Sequence, residues 1–227
     1  MNAVCSALRF SRLLGGWLLL AAIAGPFPAP AGTQAASTRE EALAALDSDD
    51  AAQRRDAVLV LGERGTAEDA DRLLDALHDE DGAVRKLAEQ SVWRVWTRAG
   101  DAEVDALMQA GMRQMEEGRL GPAVDTFTRI IEKRPDFAEG WNKRATVYFL
   151  MGDYDQSLKD CDETLLRNPN HFGALAGCGA IHAQRDELER ALELFERALE
   201  INPNLEGIEQ GAALVRHRLG KSGKRSI

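Results

Sequence analysis

The chain has 227 residues, of which 44% are hydrophobic, 29% charged and only 6% aromatic. That is room for one or two domains, with the balance of a globular protein rather than a disordered one. Lys and Arg number 28 against 37 Asp and Glu, a net charge of −9, and so acidic a chain repels the phosphate backbone of a nucleic acid.

The first element is set apart from the rest. Arg9 and Arg12 precede an apolar run at 13–24, LLGGWLLLAAIA, which GPFPAPAG closes. A basic start, a short apolar run and a small-residue exit form the pattern of a secretory signal peptide. The run falls short of the ~20 apolar residues that span a bilayer. We therefore read residues 1–31 as a signal cut after Ala31, with Ala35 as a second cleavage point. An uncleaved anchor is the alternative and the one route to a membrane association. Losing residues 1–31 leaves 26 basic and 37 acidic residues, a net charge of −11. It also removes Cys5 and leaves Cys161 and Cys178. These read as small packing residues, although an oxidising compartment would let them pair if their geometry allows.

Residues 37–99 contain a 31-residue repeat. Leu43/Leu74, Leu46/Leu77, Asp50/Asp81, Arg54/Arg85, Ala57/Ala88 and Leu61/Val92 correspond. Each unit reads as a helical hairpin whose acidic turn caps its second helix. The L-x-x-L…D…R-x-x-A pattern resembles short HEAT-type repeats. Two units leave an apolar end open, so they should dock on the helices C-terminal to them. Trp93 lies off the face formed by Val84, Ala88 and Val95. We expect it to fill the seam against the first helix of the next array; an exposed, partner-binding tryptophan is the alternative.

Between 101 and 203 the period is 34. Pro135, Pro169 and Pro203 mark it, as do Gly111/Ala145/Gly179, Ala123/Ser157/Ala191 and Leu107/Trp141/Leu175. Within one unit, Trp141, Ala145 and Tyr148 share a helical face, Gly152-Asp153 breaks the helix, and Leu158, Cys161 and Leu165 share the next face. Asn168-Pro169 ends that helix. Period and anchors together resemble the tetratricopeptide repeat, with three units. Ser157 departs from the usual alanine, and Gln114 and His182 replace the tyrosine seen at Tyr148. Residues 204–219 read as a capping helix, with Leu205, Ile208, Ala212 and Val215 on one face, and 220–227 as a disordered basic tail. The expected fold class is all-α: an α-solenoid of helical hairpins, with two HEAT-like units, three tetratricopeptide units and a C-terminal cap.

Chemistry is sparse. His78, His171, His182 and His217 have no companion at a metal-ligand spacing, and no nucleotide or nucleophile motif occurs. The acid clusters Asp47/Asp49/Asp50 and Asp79/Glu80/Asp81 read as helix caps rather than a calcium loop. Asp153, Asp155, Asp160 and Asp162 read as solvated. No cofactor or metal is expected, and no enzyme activity.

What remains is surface. The resemblance implies that the first helix of each hairpin lines a concave wall. Its stripe would be Met108, Met112 and Met115, then Asn142, Thr146 and Phe149, then Ala176, Ala180 and Ala183. Methionines adapt to irregular apolar partners and alanines leave room for a helix or strand to approach. Asp105, Glu116 and Glu139 would flank the wall. Some members of the family bind acidic C-termini through Lys and Asn on this wall, and here only Asn142 and Lys143 could serve. The expectation is a secreted or periplasmic scaffold or assembly factor that holds a protein or peptide, an apolar helix or extended segment, in the groove. The competing readings are a self-associating solenoid, a HEAT-type lyase-like enzyme, and a wall covered by the protein's own N-terminal region or cap.

Overall fold

The computed structural model describes residue 36 and residues 38–223. The proposed signal and residues 224–227 lie outside that range. The described residues form an all-helical solenoid. Its elements are α1 (Arg39–Ala45), α2 (Ala51–Arg64), α3 (Ala70–Asp75), α4 (Gly82–Trp96), α5 (Ala102–Glu116), α6 (Leu120–Lys133), α7 (Ala138–Met151), α8 (Tyr154–Arg167), α9 (Phe172–Gln184), α10 (Leu188–Ile201) and α11 (Glu206–Gly223). Short 3-10 turns, Ala67–Asp69 and Ala76–His78, flank α3. The cap α11 runs on to Gly223, so 220–223 continue the helix instead of fraying.

Local chemistry explains the stops and starts. Asp50, Asp81, Asp101 and Asp153 each accept a backbone N–H in the first turn of α2, α4, α5 and α8. Gly118 and Gly152 hold φ of 71° and 78° at the turn inside a hairpin. The same turn of the third hairpin is made by Asp186 at φ 64°, a left-handed backbone that a short polar residue tolerates.

The crossing of the two helices in each hairpin explains the recurring small residues. A Cβ on Gly111 would stand 2.6 Å from Phe127, and one on Gly179 would stand 2.7 Å from Phe195. The middle hairpin has Ala145 at the equivalent place, and there Cys161 replaces the phenylalanine. The larger residue on one helix is matched by a smaller one on the other, which keeps the crossing filled without overlap. Ser157 uses its place as well, donating its Oγ–H to the Ala145 carbonyl at 2.8 Å. Cys161 therefore faces α9, where its Sγ is bonded to that of Cys178, with the Cα atoms 6.3 Å apart. Packing was the expected role of this pair. Both cysteines are buried, and the bond joins the second hairpin to the third. Asp160, expected to be solvated, is also buried and receives two N–H donors of Arg144, at 2.7 and 2.8 Å.

The N-terminal hairpins are joined by an arginine ladder. Arg54 donates to the Ser48 and Asp49 carbonyls of its own turn and to the Asp79 carboxylate of the next. Arg85, one 31-residue step later, donates to the Asp79 and Glu80 carbonyls in the same way. It also donates to Asn204 Oδ1 at 2.9 Å, and Asn204 Nδ2 donates to the Leu77 carbonyl. The loop before α11 thus takes the place that a third unit's turn would occupy. That closes the open end.

Contacts with three successive loops show how α4 lies across the array. Arg134 donates to the Ala99 carbonyl just after α4. Trp96 stacks on His171, with centroids 4.4 Å apart. Glu89 and Arg85 reach Asn202 and Asn204. Successive inter-hairpin loops therefore meet α4 at progressively earlier residues. The helix runs across the stack from its third hairpin back to its first, so one element braces all three.

Candidate protein-binding groove

The first helices of the three hairpins, α5, α7 and α9, carry the nine predicted wall residues, and the structure divides them. Met108 is only 1% exposed and belongs to a core cluster with Val104, Ala123, Phe127, Ile130 and Val147. Ala180 and Ala183 are buried with Leu188, Ala191, Phe195, Ala212 and Val215, between α9, α10 and α11. These three support the array from within and offer nothing to a partner. Asn142 is buried too, its Nδ2 donating to Glu139 Oε2 at 3.1 Å. Ala176 is half-buried, packed against the large core.

Four wall residues stay accessible. Met112 and Met115 are half-buried on α5, Phe149 is half-buried on α7 with its ring 5.6 Å from that of Tyr154, and Thr146 is exposed. One residue outside the predicted stripe extends this strip. Leu150 is 51% exposed at the end of α7. The signal for Leu150 was present, since a step of four from Asn142 and Thr146 reaches it. On α9, a Cβ at Gly177 would meet nothing within 4 Å, so the floor is open there.

The opposite end of the wall is covered. Trp93 lies 5.2 and 5.5 Å from the rings of Phe172 and His171, and Lys143 Nζ sits 5.2 Å from its ring centroid. A Cβ on Gly173 would come within 2.5 Å of the Trp93 ring. Trp93 therefore seals α4 against α7 and α9, not against α5 as expected. The reason is the path of α4, which runs along the inter-hairpin loops and brings Trp93 to the start of the third hairpin.

Beneath this cover is a buried polar cluster. Glu139 is 1% exposed. Its Oε2 receives Asn142 Nδ2 and His171 Nε2, the latter at 2.8 Å, and its Oε1 lies 2.9 Å from Lys143 Nζ. The lysine is not aligned for a formal hydrogen bond to Oε1, so that contact is ionic. His171 Nδ1 accepts the Ala174 N–H, which puts the imidazole proton on Nε2, facing Glu139. Burial pushes the Glu139 carboxyl up, but the Lys143 charge and the His171 hydrogen bond outweigh it and hold the pKa down at about 2.

Of the expected flanking acids, Glu139 is this internal group. Asp105 accepts the Ala99 N–H at 2.6 Å and so fixes the linker, and Glu116 is exposed. Among the described residues no group of three or more His, Cys, Asp or Glu is placed to hold a metal ion, and no helix is long and apolar enough to cross a membrane.

Fold and groove together define the class, a helical solenoid whose hairpins are like tetratricopeptide repeats. The tetratricopeptide-repeat family model matches residues 136–204, the second and third hairpins. A TPR repeat-containing protein of Rhizobium etli is 40% identical over 108 residues, covering 48% of this chain and 53% of its own length. RNA polymerase II-associated protein 3 of Homo sapiens is 26% identical over 141 residues, covering 60% of this chain and 21% of that protein. The chain thus spans about half of the first relative and about a fifth of the second. Among solved structures, the first TPR of Spaghetti bound to the HSP90 peptide SRMEEVD superposes with a TM-score of 0.51 at 23% identity, over 53% of this chain and 96% of that one. The Sgt2 TPR domain from Aspergillus fumigatus gives 0.52 at 18% identity, over 55% and 83%. At these identities the likeness is one of fold.

Proposed function

We propose that this protein is an exported interaction scaffold that holds an apolar helix or extended segment of another protein on the open half of its concave wall. The carrying observation is the strip of Met112, Met115, Phe149 and Leu150, which keeps apolar surface in solvent while Trp93 seals the other end of the wall. Apolar area of this kind, with adaptable methionines, suits helix-in-groove or strand capture. The Spaghetti domain, which holds a peptide, is a precedent for capture on this fold. Export rests on the first 31 residues and is in keeping with the Cys161–Cys178 bond, which an oxidising compartment preserves. The N-terminal hairpins, of the short HEAT kind, would brace the wall from one side.

The test is a photo-cross-linker at Met112 in the native envelope, followed by the Met112→Asp/Phe149→Asp double variant. The reading requires one defined cross-linked protein, lost in a variant that keeps its helical circular dichroism. Equal capture by the variant refutes it. N-terminal sequencing of the exported chain should begin at Gly32 or Ala36; a start at Met1 refutes cleavage. One observation favours a second reading, self-association: Leu166 is 76% exposed on α8, outside the wall helices. Light scattering of wild type and Leu166→Glu distinguishes it.

A further inference from the structure

We propose that the outer face of α5 is a contact between two copies of this chain, in which the helices pack antiparallel and each Glu103 meets the other copy's Arg113. The inference is independent of the groove reading.

The 34-residue step shows that this face is of a kind the fold covers everywhere else. Ala106 and Ala110 on α5 correspond to Gly140 and Arg144 on α7, and to Ala174 and Cys178 on α9. The later pairs lie under the second helix of the hairpin before them. A Cβ on Gly140 would stand 2.9 Å from Ile130 of α6, and Arg144 Nη1 donates to Thr128 of the same helix. Cys178 is bonded to Cys161 of α8. Arg113 corresponds to Val147, Ile181 and Val215, each at most 2% exposed. No hairpin of the array precedes α5, because α4 runs along the inter-hairpin loops instead. Ala106 and Arg113 are exposed and Ala110 is half-buried.

The chemistry of the face says what covers it. Glu103, Ala106, Ala110, Arg113 and Glu117 follow at steps of three, four, three and four, the spacing of a seam between two helices. In an antiparallel pair whose two-fold axis is level with Met108, Glu103 lies opposite the other copy's Arg113, and Ala106 opposite its Ala110. The face is thus its own complement, which a two-fold contact requires. Among the described residues Arg113 has no ionic partner. Glu103 holds Lys133 Nζ at 2.9 Å yet keeps 64% of its side chain exposed, which leaves room for a second cation. The acid sits in the first turn of α5 and the base in the last, so antiparallel packing also sets opposite ends of two helix dipoles side by side. A helix from an unrelated protein would match this order of charges only by coincidence, whereas a second copy carries it of necessity.

The test is sedimentation velocity of the purified protein from ~10 µM to ~1 mM, because one helix pair makes a smaller contact than a standard interface. A monomer–dimer equilibrium that stops at two is expected. Glu103→Arg and Arg113→Glu should each weaken it about tenfold or more, since each sets like charges face to face twice. The exchange Glu103→Arg/Arg113→Glu should restore it. A chain that stays monomeric over that range, association without an end point, or an exchanged variant as weak as the single ones overturns the proposal. So does a dimer that is lost in Leu166→Glu and indifferent to Arg113→Glu. Circular dichroism checks the fold of each variant. If Glu103→Arg, which also gives up Lys133, does not fold, Arg113→Glu decides: a weakened dimer supports the contact and an unchanged one overturns it.

Discussion

Breaking the Cys161–Cys178 bond should cost the fold about 3 kcal/mol. The bond joins α8 to α9, across the seam between the second and third hairpins, and closes a loop of 17 residues. Loop-closure entropy for a chain of that length gives about 3 kcal/mol of stabilisation at 25 °C, through restriction of the unfolded state. For a unit of nearly 200 residues unfolding together, each kcal/mol moves the midpoint by ~2–4 °C, so the expected shift is ~6–12 °C. Both cysteines are buried, so a reductant reaches them only when the chain opens. The protein should be unfolded in urea with dithiothreitol, refolded with reductant present, and melted beside an oxidised sample. Circular dichroism at 222 nm follows the transition, and thiol alkylation in denaturant reports the redox state. Reduction introduces no cavity, which substitution by alanine would. Identical melts, or two free thiols at 161 and 178 in unreduced protein, would refute the reasoning.

The seam and the cluster beneath it give further expected outcomes. Gly173→Ala should destabilise by about 1–3 kcal/mol, because the new methyl meets a Trp93 ring that Phe172, Trp96 and Lys143 prevent from moving aside. Gly177→Ala, in open space on the same helix, should stabilise by up to about 1 kcal/mol; urea melts with opposite shifts are expected, and equal shifts would count against the docking of Trp93. Glu139 gives a pH dependence. Its folded pKa of about 2 lies below the ordinary carboxylate value, so its stabilisation is complete above about pH 5 and is lost as pH falls through 4 towards 2. Glu139→Gln should flatten that limb of the stability–pH curve in urea titrations; an unchanged acid limb would place the titrating group elsewhere.

Much of the fold was legible because it is written locally. The 34-residue step, the glycine and proline punctuation and the aspartate caps each act over a few residues. The pairing of Gly111 with Phe127, repeated at Gly179 with Phe195, shows why period and residue size recur together. The candidate site was only partly legible. Met108 reads as a wall residue and is core, because a helical stripe fixes which residues share a face but not what covers that face. Leu150 escaped the stripe although it lies on the Asn142–Thr146 line. Glu139 read as a surface acid because its partners, Lys143 and Asn142 apart, are not within a turn of it: His171 lies 32 residues away.

The sequence by itself determined the helical hairpins, their number and their order, since backbone geometry and near-neighbour packing decide those. Only the tertiary structure decided which part of the wall stays open. Arg85 meets Asn204 across 119 residues of chain, and Trp93 meets α7 and α9 rather than the helix next to it in sequence. Such docking depends on the direction in which one rigid piece lies against another. No local period encodes that direction, and it leaves Met112, Met115 and Phe149 accessible while Asn142 is buried.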